Sequence, residues 1–376
     1  MKDFLISINR SIGTLFKRIQ FNAWVDIQSL AYFRIFLGLF MLAHYLPEWS
    51  WLGDAPQAFF SPHLFTMASL TDDFLPKWVY VFMDFFSLVL LCLITLGIRT
   101  RISLILLFVI SYTGYSYEFG FGKIDHEIHL YLITLIILAF TNCGSKTAFV
   151  KDRMIKSDYQ RWALMLLCIY IAFGFLTAGL PKFIKWVDFD LHEIGFLEWF
   201  FRGYYIFDRT HLLANTVFKT PYFVFEIMDY LAPTIEILSF VFLLWGRKAW
   251  RVYLVIVSAF HMGNMLLLNI EFALNITCYG LFLIAPFLSF IRQYLPKGRT
   301  ARRILLSTVC ILALYQIGHK LYYMHFGYYP GYFTERFIIF NYISVISWIF
   351  TIVIGIYTIR YKLYDSAVTK KGLEKI

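Results

Sequence analysis

Charged residues are scarce in this sequence. Asp, Glu, Lys and Arg make up 15% of the 376 residues, whereas they make up about 25% of an average soluble domain. Hydrophobic residues make up 60% of the chain, and the mean hydropathy is +0.65. This balance excludes an ordinary soluble protein. Because hydrophobic runs of bilayer length recur along the chain, we expect an all-α, polytopic transmembrane helix bundle whose partner is the lipid bilayer.

Closely spaced cysteines are also missing. The five cysteines are scattered, without a C-x-x-C spacing, at Cys92, Cys143, Cys168, Cys278 and Cys310. That spacing argues against a disulfide framework, a zinc site or a thioredoxin-like redox pair, so no metal site is expected. We also expect no removable signal peptide, because no short charged segment with a small-residue cleavage site precedes the first hydrophobic run.

Ten hydrophobic segments are each near the length of ~20 residues that a bilayer core requires. They are predicted at residues 28–46, 78–98, 102–120, 126–142, 160–180, 223–245, 250–269, 272–290, 303–322 and 338–359. Before them, residues 1–27 mix apolar and basic side chains in a pattern typical of an amphipathic helix in the headgroup layer. We therefore divide the chain into this segment, a core of spans at 28–290, and two further spans with a basic tail at 291–376.

Basic residues are unevenly distributed between the loops. If the amino terminus is cytoplasmic, 24 Lys and Arg residues lie on the inner side and 9 on the outer side. Because basic residues concentrate in cytoplasmic loops, we expect both termini to be cytoplasmic and the two long loops, residues 47–77 and 181–222, to be external. The net charge of +10 then reflects topology and contact with anionic lipids, and no nucleic-acid partner is expected.

One stretch, Ile171 to Trp186, combines features that point to function. Its small residues allow neighbouring helix backbones to approach closely; they are Gly174, Ala178 and Gly179. Pro181 is expected to end or break the helix, which would deliver Lys182 to the membrane boundary. An amine at that depth is either an anchor that reaches the headgroups or a reactive group.

Several ionisable residues fall inside the predicted spans, where each costs roughly 3 kcal/mol or more at the bilayer centre. They are Arg34, His44, Asp84, Glu118, Glu226, Asp229, Glu236 and His261, with Asp125, His126, Glu127 and His129 at an outer boundary. Such residues mark function by default, but two structural roles compete with that interpretation. Arg34 could pair with a carboxylate and hold the bundle together, and His261 could form a hydrogen bond between helices.

Four motifs resemble those of one membrane protein family. Residues Leu30 to Met41 read L-A-Y-F-R-I-F-L-G-L-F-M, and Leu96 to Ser103 read L-G-I-R-T-R-I-S. Further along, Ala178 to Trp186 read A-G-L-P-K-F-I-K-W, and Phe260 to Asn264 read F-H-M-G-N. In this order they resemble the motifs of the horizontally transferred transmembrane (HTTM) family, which includes the vitamin K-dependent gamma-glutamyl carboxylase.

This resemblance implies roles for particular residues. Lys182 matches the lysine regarded in that family as the base that deprotonates the hydroquinone, so reduced vitamin K or another quinol is the implied cofactor. Asp125 and His126 match an Asn-His pair, and His126 would orient or relay a proton. The implied substrate-binding residues are His261, Asn264 and Arg34. The implied chemistry is of the carboxylase and epoxidase type, and we expect the protein in a bacterial inner membrane.

The sequence departs from the family pattern at four points. Pro181 stands where the family has the first of two lysines, and the segment from Lys182 to Trp186 is one residue shorter. Asp125 replaces an asparagine, and the carboxylase's luminal domain has no counterpart after residue 290. A lysine acts as a base only when its amine is neutral, which requires burial in apolar surroundings, and a nearby carboxylate opposes this. A charged Lys182 would instead bind an anionic headgroup or a substrate carboxylate.

Three functions remain open at this point. A quinol-linked enzyme predicts that Lys182, His126 and His261 converge on an apolar cavity. A non-enzymatic maturation or export factor for a secreted peptide, similar to SdpB-type members of the family, predicts an outward-facing groove. A transporter or metal-binding protein would require His126, His129 and His261 to come within ligand distance of one another.

Overall fold

The computed structural model describes residues 2–121, 126–188, 194–326 and 335–365. These residues form thirteen α-helices and no β-strand, so the predicted all-α fold is confirmed. The helices are α1 Lys2–Ala23, α2 Ile27–Ala43, α3 Lys77–Leu96, α4 Thr100–Glu118, α5 His126–Ala139, α6 Ser157–Trp186, α7 Gly195–Ile206, α8 Tyr222–Ile237, α9 Ser239–Trp245, α10 Arg247–Leu268, α11 Ile276–Ile291, α12 Gly298–Phe326 and α13 Glu335–Arg360.

Among the described residues, seven helices are long and apolar enough to cross a membrane, or up to nine if two bent pairs, α1 with α2 and α8 with α9, each count as one span. The predicted number of about ten spans is not confirmed. The segment predicted at residues 126–142 contains α5, an apolar helix of 14 residues. The cytoplasmic placement of the termini stays a prediction.

Helix α6 differs from its prediction. We expected it to end or break at Pro181, but α6 continues for 30 residues to Trp186 with Pro181 inside it. A proline removes its own backbone hydrogen bond, here the one to the carbonyl of Thr177, and its ring crowds that carbonyl, but membrane helices tolerate both effects. Lys182 therefore projects from a continuous helix.

The helices group into two compact units, the first made of residues 1–25, 161–287 and 333–376 and the second of residues 26–160 and 288–332. In the first unit α10 packs against α13, α9 and α1. Helix α11 is the most enclosed, since all its side chains from Ile276 to Pro286 are buried. A helix that is apolar on every side belongs in such an interior position.

In the second unit, α2 to α5 pack in sequence order and α12 packs against α2 and α3. The long loop between α2 and α3 folds into three short 3-10 helices at Ser50–Asp54, Gln57–Phe59 and Met67–Leu70. Trp49 and Leu52 are fully buried in a cluster with Tyr80 and Tyr117. The aromatic residues of this loop therefore build a small core of their own.

Arg34 joins the end of α3 to the loop between α5 and α6. Its Nη1 donates to the Ile94 carbonyl at 3.1 Å, and its Nη2 donates to the Thr147 carbonyl at 2.6 Å. Gly97 ends α3 with a left-handed φ of 72°, and a Cβ there would lie 1.9 Å from Nη1 of Arg34. Ile94 lies in the last turn of α3, where helix carbonyls lack intrahelical partners, and Thr147 lies in the loop between α5 and α6, so the buried guanidinium joins these two segments.

We expect Gly97→Ala to lower the midpoint of thermal unfolding in detergent, because the substitution combines backbone strain at positive φ with a clash against Arg34. The loss should correspond to about 2 kcal/mol. Gly318→Ala is the matched control, since no atom lies within 4 Å of a Cβ built at that exposed position of α12. Equal midpoints for the two variants would contradict this role of Arg34 and Gly97.

Candidate functional site

An ion pair between α6 and α8 is the centre of the candidate site. Lys182 Nζ lies 2.5 Å from Glu236 Oε1. The lysine side chain is 29% exposed, whereas the glutamate side chain is 4% exposed. Lys182 thus reaches an accessible surface, and Glu236 is enclosed. The buried glutamate can serve as the counter-ion or the proton acceptor of the lysine.

Gly179 makes this contact possible. A Cβ at Gly179 would lie 2.6 Å from the Cβ of Glu236 and 3.2 Å from the Pro233 carbonyl, so α8 lies directly against α6 there. The predicted role of small residues in close helix packing is confirmed at this position. It does not extend to Gly174, where no atom lies within 4 Å of an added Cβ.

His261 lies in the same unit, enclosed by aromatic rings. Its Nε2 is 3.1 Å from the hydroxyl of Tyr279, and its ring centroid is 4.7 Å from Phe272, 5.5 Å from Trp348 and 5.9 Å from Phe175. Nδ1 is buried and has no hydrogen-bond partner among the described residues. The hydrogen bond to Tyr279 joins α10 to α11. It is a hydrogen bond between helices, the structural role that the sequence analysis gives as the alternative for His261.

Lys182 and His261 both belong to the first unit, on α6 and α10. Phe175, which contacts His261, precedes Lys182 on α6 by seven residues, which is about two helical turns or ~10 Å. Phe175 thus belongs both to the helix that carries Lys182 and to the aromatic surroundings of His261.

An open cleft adjoins Lys182. It has a volume of about 280 Å³ and is lined by Pro181, Lys182, Lys185, Trp186, Glu198, Trp199 and Arg202. The Lys182 ammonium lies 5.7 Å from the centre of the Trp186 ring, in a cation–π contact. Three basic residues and one acidic residue give the cleft an excess of positive charge, and two indoles give it apolar walls.

Helix α7 forms one wall of this cleft because Asp229 holds its amino terminus. The Asp229 carboxylate accepts the backbone N–H of Gly195 at 2.5 Å and that of Phe196 at 2.8 Å. A Cβ at Gly195 would lie 2.4 Å from Nε1 of Trp186, so the start of α7 packs closely against the indole. Two acids on α8, Asp229 and Glu236, thus position the two sides of the cleft.

The other predicted site residues are placed as follows. Asn264 follows His261 by one turn on α10 and is half-buried. Arg34 belongs to the second unit and binds backbone carbonyls. His126 is the first residue of α5, also in the second unit, with its side chain outside the described part, and Asp125 lies outside the described residues altogether. Their functional roles stay predictions.

In the described part of the chain, no three His, Cys, Asp or Glu side chains lie close enough together to hold a metal ion.

The sequence analysis included Glu236 among the intramembrane acids but did not assign it to the site. The signal was an acid within a predicted span. Its partner lies 54 residues earlier in the chain, so pairing could not be deduced without the fold.

Apolar helices long enough to cross a bilayer, with ionisable groups turned toward the bundle interior, define this chain as an integral membrane protein. The family model of the HTTM domain matches residues 22–286, which is more than half of the chain. The chain therefore belongs to the HTTM family, as the motifs indicated. No curated protein and no solved structure matches it.

We expect Gly179→Ala to destabilise the protein by about 2 kcal/mol, because an added methyl would push α8 away from α6. Gly174→Ala, one turn earlier on α6, should be neutral since its Cβ meets nothing within 4 Å. Thermal unfolding of the two purified variants in the same detergent tests this. A loss in Gly174→Ala as large as that in Gly179→Ala would contradict the close packing at Gly179.

Removing one partner of the ion pair should lower the free energy of unfolding more than removing both. Lys182→Met leaves the enclosed Glu236 without its cation and should lower the free energy of unfolding by about 2 kcal/mol, whereas adding Glu236→Gln should recover most of the loss. The control is Lys185→Met, since Lys185 and Glu198 lie 3.5 Å apart with side chains 72% and 69% exposed and exposed pairs contribute about 0–1 kcal/mol. A double variant no more stable than Lys182→Met would contradict the pairing.

Proposed function

We propose that this protein is a membrane enzyme that removes a proton from an apolar acidic compound such as a quinol, with Lys182 and Glu236 as its acid–base pair. The observation that carries the proposal is the 2.5 Å contact between Lys182 Nζ and Glu236 Oε1 beside an accessible cleft. Catalytic sites are commonly built where a titratable pair meets a cleft in apolar surroundings.

In the proposed reaction Lys182 is the group that contacts the substrate. Its Nζ passes a proton to Glu236 Oε1, and the resulting neutral amine accepts the proton of the substrate hydroxyl. The ammonium then faces the substrate anion, and Glu236 is a neutral carboxylic acid. One ion pair is exchanged for another, so the step creates no net charge in surroundings of low dielectric constant, where net charge is expensive.

The cleft suits a planar, apolar ring. Trp186 and Trp199 offer aromatic faces, and the volume of about 280 Å³ is near the lower end of the roughly 300–1,000 Å³ that ligand sites commonly span. A reduced naphthoquinone supplies the acidic hydroxyl and the electrons for an oxygen-dependent reaction when it is bound. Lys185 and Arg202 line the same cleft, and their charge would favour an anionic co-substrate.

The test compares Lys182→Arg, Lys182→Ala and Glu236→Gln for turnover of a reduced naphthoquinone in nanodiscs. Arginine keeps the positive charge but cannot act as a base, alanine has no amine, and glutamine cannot accept the proton that Glu236 accepts. All three variants should therefore lose turnover by about 100-fold or more. Lys185→Arg is the control and should retain it. Turnover retained in Lys182→Arg and lost in Lys182→Ala would reduce Lys182 to an anchor and contradict the proposal.

A second candidate function is maturation or export of a secreted peptide without catalysis, as in SdpB-type proteins. The exposed aromatic side chains of α7, among them Trp199 and Tyr205, favour it, and Trp199 lines the cationic cleft. Under this function Trp199→Ala and Arg202→Gln should abolish production of the active peptide, whereas Glu236→Gln should leave it unchanged. Loss of quinol turnover in Glu236→Gln would instead support the enzymatic function.

A further inference from the structure

Two buried arginines lie on one face at the start of α10, far along the chain from Lys182. Arg247 and Arg251 are four residues apart, so they are neighbours on the helix surface. The Arg247 side chain is 5% exposed, and Arg251 is completely buried. Arg247 Nη1 lies 3.2 Å from the carboxylate of Asp365, whose side chain is 42% exposed. Arg247 Nη2 donates to the Trp24 carbonyl at 3.0 Å and to the Tyr364 carbonyl at 2.9 Å. Because Asp365 is half-exposed, it is a weak counter-ion for an enclosed positive charge.

The guanidinium of Arg251 has one edge without an acceptor. Its Nη1 donates to the Arg247 carbonyl at 3.0 Å and to the Asn22 carbonyl at 3.4 Å, and Tyr364 covers its face with the ring centre 4.5 Å away. Nε and Nη2 are buried and have no hydrogen-bond partner among the described residues. These two nitrogens form the side of the guanidinium that binds a carboxylate or phosphate with two parallel hydrogen bonds.

Further positive groups surround this position. Arg18 on α1 donates to the Trp245 carbonyl at 3.2 Å, just before α10 begins, and Lys248 is exposed on the first turn of α10. The first backbone N–H groups of a helix lack intrahelical acceptors and favour anions. Because Arg247 is the first residue of a candidate span, this end of α10 belongs at the depth of the lipid headgroups.

We infer that Arg247 and Arg251 form a binding site for a phosphate group, that of an anionic lipid, with Asp365 as the internal anion that competes for it. The unused edge of Arg251 would receive two phosphate oxygens, and Arg247 a third. Tyr364 and Asp365 must move aside to admit the phosphate, and both lie in the turn that follows α13. Basic pockets between membrane helices bind anionic headgroups in this way.

The experiment measures lipid binding to the full-length protein in detergent by native mass spectrometry. Phosphatidylglycerol, phosphatidylcholine and inorganic phosphate are titrated separately into the wild type, Arg251→Gln, Asp365→Asn and a control, Arg153→Gln. Arg153 is exposed and belongs to the second unit, so the control removes one positive charge from elsewhere.

We expect saturable binding of phosphatidylglycerol to the wild type and the control, and no such binding of phosphatidylcholine. Arg251→Gln should weaken the phosphatidylglycerol affinity on the order of tenfold, because it removes charge-assisted bonds, and Asp365→Asn should strengthen it about threefold. If inorganic phosphate binds with the same affinity as phosphatidylglycerol and displaces it, free phosphate is the ligand. That result would overturn the lipid assignment. Unchanged affinity in Arg251→Gln would overturn the site, and if that variant does not fold, unchanged affinity in Asp365→Asn would do so.

Discussion

The ion pair of Lys182 and Glu236 is the constraint on which the first unit depends. Removing either charge alone from water costs several kcal/mol, so both must be placed together, and the helices that carry them must lie close. Gly179 provides that approach, and the Trp186 ring lies beside the ammonium. The contact between Lys182 and Glu236 thus fixes the spacing of α6 and α8, while Asp229 holds the amino terminus of α7 at the other side of the cleft.

Helix α8 shows how the bundle accommodates such groups. Its acids, Glu226, Asp229 and Glu236, are all buried, whereas the apolar side chains of Phe223 and Leu231 are exposed. This is the reverse of a helix in a soluble protein, and it is stable only where the exposed surface meets lipid. The polar face is then free to organise the interior: Asp229 fixes α7, and Glu236 pairs with Lys182.

Much of this arrangement follows from the sequence, because hydrophobic length predicts helices and motifs predict the family. The predicted hydrophobic segments coincide with helices to within about five residues, with two differences: the segment 223–245 is divided into α8 and α9, which are bent by 47°, and α6 continues past Pro181. Motif residues could not be sorted by role from sequence, since Arg34 binds carbonyls of distant segments. Glu236 was missed because pairing across 54 residues is a property of the fold.

The most direct test of the ion pair is the infrared difference spectrum between the wild type and Glu236→Gln in lipid at neutral pH. We expect the substitution to remove carboxylate stretching bands, because Glu236 is ionised beside the Lys182 ammonium. Loss of a protonated carboxyl band in their place would show a neutral glutamic acid and would contradict the ion pair.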